Sequence, residues 1–168
     1  MFDVEKYKDD FDLFTRETAT VDIAKGGDKY FEYHRYILES LDLIVNYFPQ
    51  QAHAWHSASI ACMDKSISLD EARKIDFDIR NYRMKILGAG NHMPDVKNQT
   101  EALTFLFQFA VEHPDDPNRL HTSGTDISNG TSLIQAIDEY SFLYIKFFGH
   151  AKELVKLLHS IFLPRNFE

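Results

Sequence analysis

The sequence has few of the residues that mark small secreted, zinc-binding or membrane-spanning proteins. Its 168 residues include one cysteine, Cys62, which excludes an internal disulfide and a cysteine-based zinc site. The longest apolar stretch, 141–148, is broken by Lys146 and falls far short of the roughly 20 residues that cross a bilayer. Residues 1–10 lack the basic start and apolar run of a secretory signal. We therefore expect a cytoplasmic protein with no membrane contact.

The chain is instead rich in apolar and acidic residues. Hydrophobic residues make up 44% of the sequence, with 14 Phe and 8 Tyr, and the length fits one domain over 1–168. The net charge of −8 is uneven: residues 1–22 contribute −4, residues 95–140 contribute −6, and 141–168 is +2. The electrostatic field of such acidic segments repels phosphate backbones and attracts basic partners. Direct nucleic-acid binding is therefore disfavoured.

Capping residues followed by apolar residues at helical spacing predict an all-α fold. Three pairs have the form of a capping box, with an acceptor three residues before Glu or Gln: Ser68 with Glu71, Asn98 with Glu101, and Ser132 with Gln135. We expect a single compact bundle of about seven helices. Their predicted bounds are 3–16, 28–48, a third helix opened by Pro49, 69–87, 102–111, 133–148 and 150–163.

Three segments need separate predictions for their secondary structure, their burial or their role. Residues 102–111 alternate like a strand but also form a helix face, and the cap at Asn98 favours a helix. In the fourth helix, a second apolar line through Phe77 and Met84 predicts that two sides are covered. Residues 114–131 read as a long polar loop, either a binding edge or a solvated crossover.

No constellation of residues predicts catalysis. His53 and His56 lie three apart on one helix and are the best metal candidates, but two ligands do not make a zinc site. Cys62 has an apolar neighbourhood that raises the pKa of a thiol, and it belongs with the core. Adjacent carboxylates such as Asp115 and Asp116 point apart, whereas acid/base catalysis needs convergent groups. We expect no enzyme activity, no cofactor and no bound metal.

A helical, acidic chain with many tyrosines and no reactive site resembles the immunity proteins that bacteria make against their own contact-dependent or polymorphic toxins. The resemblance implies a cytosolic protein that covers the active site of a cognate toxin domain, often a basic nuclease. Immunity families share little sequence, so contact positions cannot be matched residue by residue. The acids that carry the resemblance, and that we expect to bind the partner, are Asp9, Asp10, Asp12, Glu112, Asp115, Asp116, Asp126, Asp138 and Glu139.

Acids facing a Lys/Arg-lined cleft speed encounter, with tyrosines supplying contact area. On this hypothesis, association slows as ionic strength rises, and Asp115→Lys with Asp116→Lys lowers the on-rate. Two alternatives remain open: a metal-dependent or ligand-binding helical domain that uses His53 and His56, and a cytosolic regulatory adaptor. The sequence does not separate an adaptor from an immunity protein, and it leaves the oligomeric state undetermined.

Overall fold

The computed structural model describes residues 4–23, 28–88, 96–117 and 133–164, with side chains from residue 7 onward. Over this part of the chain it is all-α, as predicted, with seven α-helices and one 3₁₀ helix. The β pairing among these residues amounts to one isolated antiparallel bridge between Val21 and Pro164. The elements are α1 (Val4–Thr18), α2 (Tyr30–Asp42), the 3₁₀ helix (Val45–Tyr47), α3 (Gln50–Met63), α4 (Leu69–Ile86), α5 (Gln99–Ala110), α6 (Leu133–Phe148) and α7 (Ala151–Ile161).

The chain divides into two compact units. Unit 1 contains residues 1–40 and 120–168, and unit 2 contains residues 41–119. The division falls inside α2, between Ser40 and Leu41. The prediction of a single domain stays a prediction. Of the predicted polar loop, residues 114–117 form a turn and 118–131 lie outside the described residues.

In unit 1, α1 packs against α6 and α7. Phe142 lies between two α1 rings, with centroids 5.3 Å from Phe11 and 6.0 Å from Phe14. After α1, the Asp22 amide donates to the Leu163 carbonyl at 2.8 Å. The segment after α1 is therefore held by the segment after α7.

A buried hydroxyl network joins α2 to α6 within unit 1. The Tyr36 hydroxyl lies 2.6 Å from Ser141 Oγ, and the Tyr140 hydroxyl lies 2.5 Å from Ser40 Oγ. The Tyr144 hydroxyl donates to the Ser40 carbonyl at 2.6 Å. That carbonyl is among the last four of α2, which have no acceptor role inside the helix. Tyr144 therefore caps the C-terminus of α2 from another helix.

Unit 2 is built on mutual contacts of α3, α4 and α5. Phe107 of α5 is fully buried, with its ring centroid 5.7 Å from Trp55 and 5.2 Å from Phe48. Residues 101–107 of α5 are all buried, so both sides of this helix are covered. That explains its strand-like alternation, because burial on every side removes the polar positions that reveal a helical period.

Arg83 is the largest fully buried side chain in the described part of the chain, with 1% of its surface exposed. Its Nε donates to Thr104 Oγ1 at 2.7 Å, a terminal nitrogen donates to Gln108 Oε1, and the guanidinium lies 3.6 Å from the centre of the Phe105 ring. Burial, with a smaller effect of Arg80, lowers the pKa of Arg83 to about 10. The contact is a polar link from α4 to α5.

The structure forms the predicted capping box in full at Ser68 and in half at Asn98, where the Glu101 side chain does not reach the Asn98 backbone amide. Ser68 and Glu71 form a reciprocal capping box at α4. At α5 the Asn98 side chain accepts from the Glu101 amide at 2.8 Å, and the Glu101 carboxylate accepts from the Lys97 amide at 3.0 Å. The third pair includes Ser132, which lies outside the described residues.

Two predictions about the helices are wrong. The second helix ends at Asp42 rather than at residue 48, because the chain tightens there into i to i−3 hydrogen bonds and a 3₁₀ turn. The second apolar line of α4 is not covered: Phe77 is 61% exposed and Met84 is 54% exposed. The buried side of α4 carries Ala72, Ile79 and Arg83.

Candidate functional site

The predicted partner-binding acids fall into two groups, one in each compact unit. We call Glu112, Asp115 and Asp116 the unit 2 acids, and Asp9, Asp12, Asp138 and Glu139 the unit 1 acids. Asp10 is half-buried on α1, so it is a weaker candidate for contact than its exposed neighbours. Asp126 lies outside the described residues.

The unit 2 acids come after α5, and two of them are paired within the unit. Lys65 Nζ lies 3.2 Å from Asp115 Oδ1, and a terminal nitrogen of Arg73 lies 3.6 Å from Asp116 Oδ1. Lys65 lies in the connection between α3 and α4, and Arg73 lies on α4. A partner that binds Asp115 or Asp116 through its own bases must compete with them, so these two acids offer less charge than the sequence suggests.

His113 fixes the turn that carries these acids. It is 3% exposed, and its Nδ1 accepts from the Asp115 amide at 3.0 Å. Its Nε2 lies 2.9 Å from the Ile67 carbonyl, which can only accept, so Nε2 carries the proton and the ring is a neutral tautomer. The turn at 114–117 is therefore anchored to the connection between α3 and α4.

On α1, Asp9 and Asp12 are exposed and interleaved with exposed Lys8 and Arg16. Within the described part of the chain, no ion pair forms between these acids and a base. Glu17, nearer the end of α1, is engaged, since His159 Nε2 of α7 lies 2.9 Å from its carboxylate. Asp9 and Asp12 therefore keep their charge available to another molecule.

Asp138 and Glu139 lie on α6 and have different surroundings. Glu139 accepts a hydrogen bond from Gln135 Nε2 at 3.1 Å, one turn earlier. Asp138 is half-buried, and burial, followed by the nearby Glu139 charge, raises the pKa of its carboxyl group. No hydrogen bond or ion pair reaches the Asp138 carboxylate from any residue that the structure describes. The α6 pair therefore includes a carboxylate that lacks a counter-charge.

Asp138 lines a cavity of 210 Å³ in unit 1. The wall is mostly apolar and also includes two threonines. The lining residues are Thr15, Thr18, Ala19, Val21, Ile23, Ile134 and Asp138. Except for Asp138, these residues were missed by sequence reasoning. No local pattern indicates them, because the cavity forms only when α1, the segment after it and α6 come together.

The two histidines considered as metal ligands do not converge. His53 is exposed, whereas His56 is half-buried, with its Nε2 3.1 Å from Asp42 Oδ1 and its ring against Phe48. In 4–23, 28–88, 96–117 and 133–164, no group of three or more His, Cys, Asp or Glu side chains is placed to hold a metal ion. His56 instead lies close to the Asp42 carboxylate and packs against the Phe48 ring.

Cys62 is fully buried on α3, as predicted. Burial raises the pKa of its thiol to about 12, with smaller contributions from the charges of Glu112 and Asp64. The reactive form of cysteine is the thiolate. Cys62 is therefore a core residue and not a nucleophile at neutral pH.

Tyrosine supplies little of the aromatic surface that we expected for a partner. Five of the eight tyrosines are buried, and all five lie in unit 1. Among the residues that the structure describes, the exposed Phe and Tyr rings are Phe31 in unit 1 and Tyr47 and Phe77 in unit 2. Tyrosine therefore serves the core of this protein more than its surface.

Comparisons of the chain with models of protein families, with curated proteins and with solved structures found no match. None of the helices in the described ranges combines the length and the apolar character needed to span a bilayer.

Proposed function

We propose that this chain is a non-catalytic, cytoplasmic binding protein that engages a basic partner protein through the unit 1 acids, as an immunity protein engages its toxin. The observation that carries the proposal is the unequal pairing of its acids. Asp115 and Asp116 are each matched by a base, at 3.2 Å and 3.6 Å. The unit 1 acids have no such match among the described residues.

Unpaired acids raise the local negative potential, which accelerates encounter with a positively charged surface. Their desolvation also costs less when the partner supplies a cation for each of them. A toxin domain that cleaves nucleic acid presents a cleft lined by Lys and Arg, and acids seated there take the place of substrate phosphates. The chain then inhibits by occupancy and needs no chemistry of its own.

The test begins with the product of the gene immediately upstream of the one that encodes this chain. Expression of that product alone in a bacterial host should arrest growth, and co-expression of this chain should restore it. The two purified proteins should also form a complex. An upstream product that is harmless, or that remains toxic in the presence of this chain, contradicts the immunity role.

A matched pair of charge reversals then locates the binding surface. Asp9→Lys with Asp12→Lys and Asp115→Lys with Asp116→Lys change the net charge equally, so a general effect of charge is the same for both. We expect the first variant to lower the on-rate about 10-fold at low salt, and the second to lower it less. The difference should shrink as ionic strength rises. Equal on-rates for the two variants would contradict the proposal that the partner binds the unit 1 acids in preference to Asp115 and Asp116.

A second candidate function uses His53 and His56 to bind a metal or a small ligand. The observation that favours it is the 3.1 Å approach of His56 Nε2 to Asp42 Oδ1, which places a carboxylate beside one of the two rings without forming a hydrogen bond. Elemental analysis of protein purified without a histidine tag tests it. A stoichiometric metal that is lost in His56→Ala supports this function, and metal-free native protein argues against it.

A third candidate, a regulatory adaptor, differs from an immunity protein in what it binds. Its partner is a host protein rather than the product of an adjacent toxin gene. A complex with a non-toxic protein, together with failure of the growth-rescue test, favours the adaptor.

A further inference from the structure

The cavity of unit 1 has the chemistry of a binding site for a small organic cation. We propose that it binds a primary alkylammonium group, with the carboxylate of Asp138 as the counter-charge. Asp138 is also one of the unit 1 acids of the function proposed above, but this proposal is tested on the purified chain with a small amine, so either proposal can fail while the other holds.

The first argument is the state of the Asp138 carboxylate. It lies on the cavity wall and has no hydrogen bond or ion pair to the described residues. Burial and the charge of Glu139 raise its pKa, so the charged form is disfavoured while the cavity holds no cation. A bound ammonium reverses this cost, because an opposite charge at contact distance stabilises the carboxylate.

The second argument is the supply of further acceptors for an ammonium. The Thr18 hydroxyl donates its proton to the Phe14 carbonyl at 2.7 Å, which leaves the lone pairs of Oγ1 as acceptors. Thr15, one turn earlier on α1, also lines the cavity and carries a second hydroxyl. An ammonium has three donors and no acceptor, and the lining residues carry one carboxylate and two hydroxyls. These numbers of donors and acceptors suit a primary amine.

The third argument is that the rest of the cavity wall is apolar and that the cavity is large enough for an alkyl chain. Val21, Ile23 and Ile134 line the cavity, and Val21 and Ile23 are 1% and 2% exposed. Their segment is fixed by the Asp22 to Leu163 hydrogen bond. The volume of 210 Å³ exceeds that of the engineered cavity of about 150 Å³ that holds benzene. A short alkyl chain therefore fits beside the ammonium.

An alkylammonium group reaches this cavity from one of two sources. It is either a free small amine or the end of a lysine side chain on another protein. The chemistry at the carboxylate is the same in both cases. The two sources differ at the far end of the alkyl chain, because a lysine side chain brings a peptide backbone to the mouth of the cavity.

Binding is measured by NMR titration of the whole chain with butylammonium chloride, with neutral 1-butanol as a matched probe. We expect saturable shifts for butylammonium at millimolar concentration and at least 10-fold weaker binding of butanol. A capped tripeptide, acetyl-Gly-Lys-Gly-amide, separates the sources. Tripeptide binding as tight as that of butylammonium identifies a protein lysine, and binding of butylammonium alone identifies a free amine.

Two variants locate the site. Asp138→Asn keeps the shape of the side chain and should weaken butylammonium binding at least 10-fold, whereas Asp70→Asn, which neutralises an exposed carboxylate on α4 of unit 2, should retain it. Ala19→Leu fills the cavity from an exposed position after α1 and should abolish binding without changing the charge. Each variant is checked for native helical content by circular dichroism. Absence of saturable binding, equal binding of butanol, or unchanged binding by both Asp138→Asn and Ala19→Leu overturns the proposal.

Discussion

Replacement of Tyr144 by Phe should destabilise the protein at pH 8 and cease to do so at pH 11. At pH 8 the variant loses the hydrogen bond from the Tyr144 hydroxyl to the Ser40 carbonyl, made at 2.6 Å. A hydrogen bond of this kind contributes about 1 kcal/mol, so we expect the free energy of unfolding to fall by about that amount. The fold keeps its packing because the ring is unchanged.

At alkaline pH the presence of Tyr144 lowers the free energy of unfolding of the native protein. Burial, with a smaller effect of the Glu153 charge, raises the pKa of Tyr144 well above its ordinary value. A raised folded-state pKa gives stability that is present below the unfolded-state pKa of about 10 and is lost as pH rises toward the folded-state value. Between pH 9 and pH 11 this loss is about 1.4 kcal/mol for one tyrosine. The Phe variant does not suffer it, so the two proteins should become equally stable near pH 11.

The assay is urea unfolding followed by circular dichroism at pH 8, 9, 10 and 11. Both proteins carry Cys62→Ala, because the buried thiol also ionises in the unfolded chain at alkaline pH. The measured quantity is the difference in free energy of unfolding between the two proteins. A difference that stays constant from pH 8 to pH 11 would show that Tyr144 ionises equally in both states, and the argument from burial would fail.

Two further predictions concern unit 2. Cys62 should react with a thiol reagent at pH 8 only after unfolding, because burial raises the pKa of the thiol to about 12; rapid reaction of the native protein would contradict this. Thr104→Val should lower the free energy of unfolding by about 2 kcal/mol, since it leaves the buried Arg83 Nε without its acceptor. Adding Arg83→Met removes the stranded charge and should recover most of that loss in urea unfolding; a double variant no more stable than Thr104→Val would refute the account.

The sequence predicted the fold class and the bounds of α6, which begins at Leu133 and ends at Phe148 as expected. It failed at the end of α2 for a physical reason. Ile44, beyond the helix, is still fully buried, so the apolar period continues after the helical hydrogen bonds have ended. Periodicity reports which side chains face the core, and a 3₁₀ turn satisfies it as well as an α-helix does over a few residues.

The candidate site was less predictable than the fold. The acids could be read from the sequence, but their pairing could not, because Asp115 and Asp116 meet bases from the connection between α3 and α4 and from α4. The apolar line of Phe77 and Met84 misled for the opposite reason, since apolar residues spaced for burial need not be covered. The cavity beside Asp138 depends on residues from both ends of the chain, and no local pattern encodes it.

Unit 1 combines two separated parts of the sequence, 1–40 and 120–168, and this has a consequence for synthesis on the ribosome. α1 is translated before residues 41–119, whereas α6 and α7, which pack against it, are translated after them. At about 5–20 residues per second, α1 waits on the order of ten seconds for its partners. During that interval its apolar stripe has nothing to pack on, and the charge of −4 carried by residues 1–22 repels other nascent chains. We therefore expect the negative charge around α1 to oppose aggregation of the nascent chain until α6 and α7 have been made.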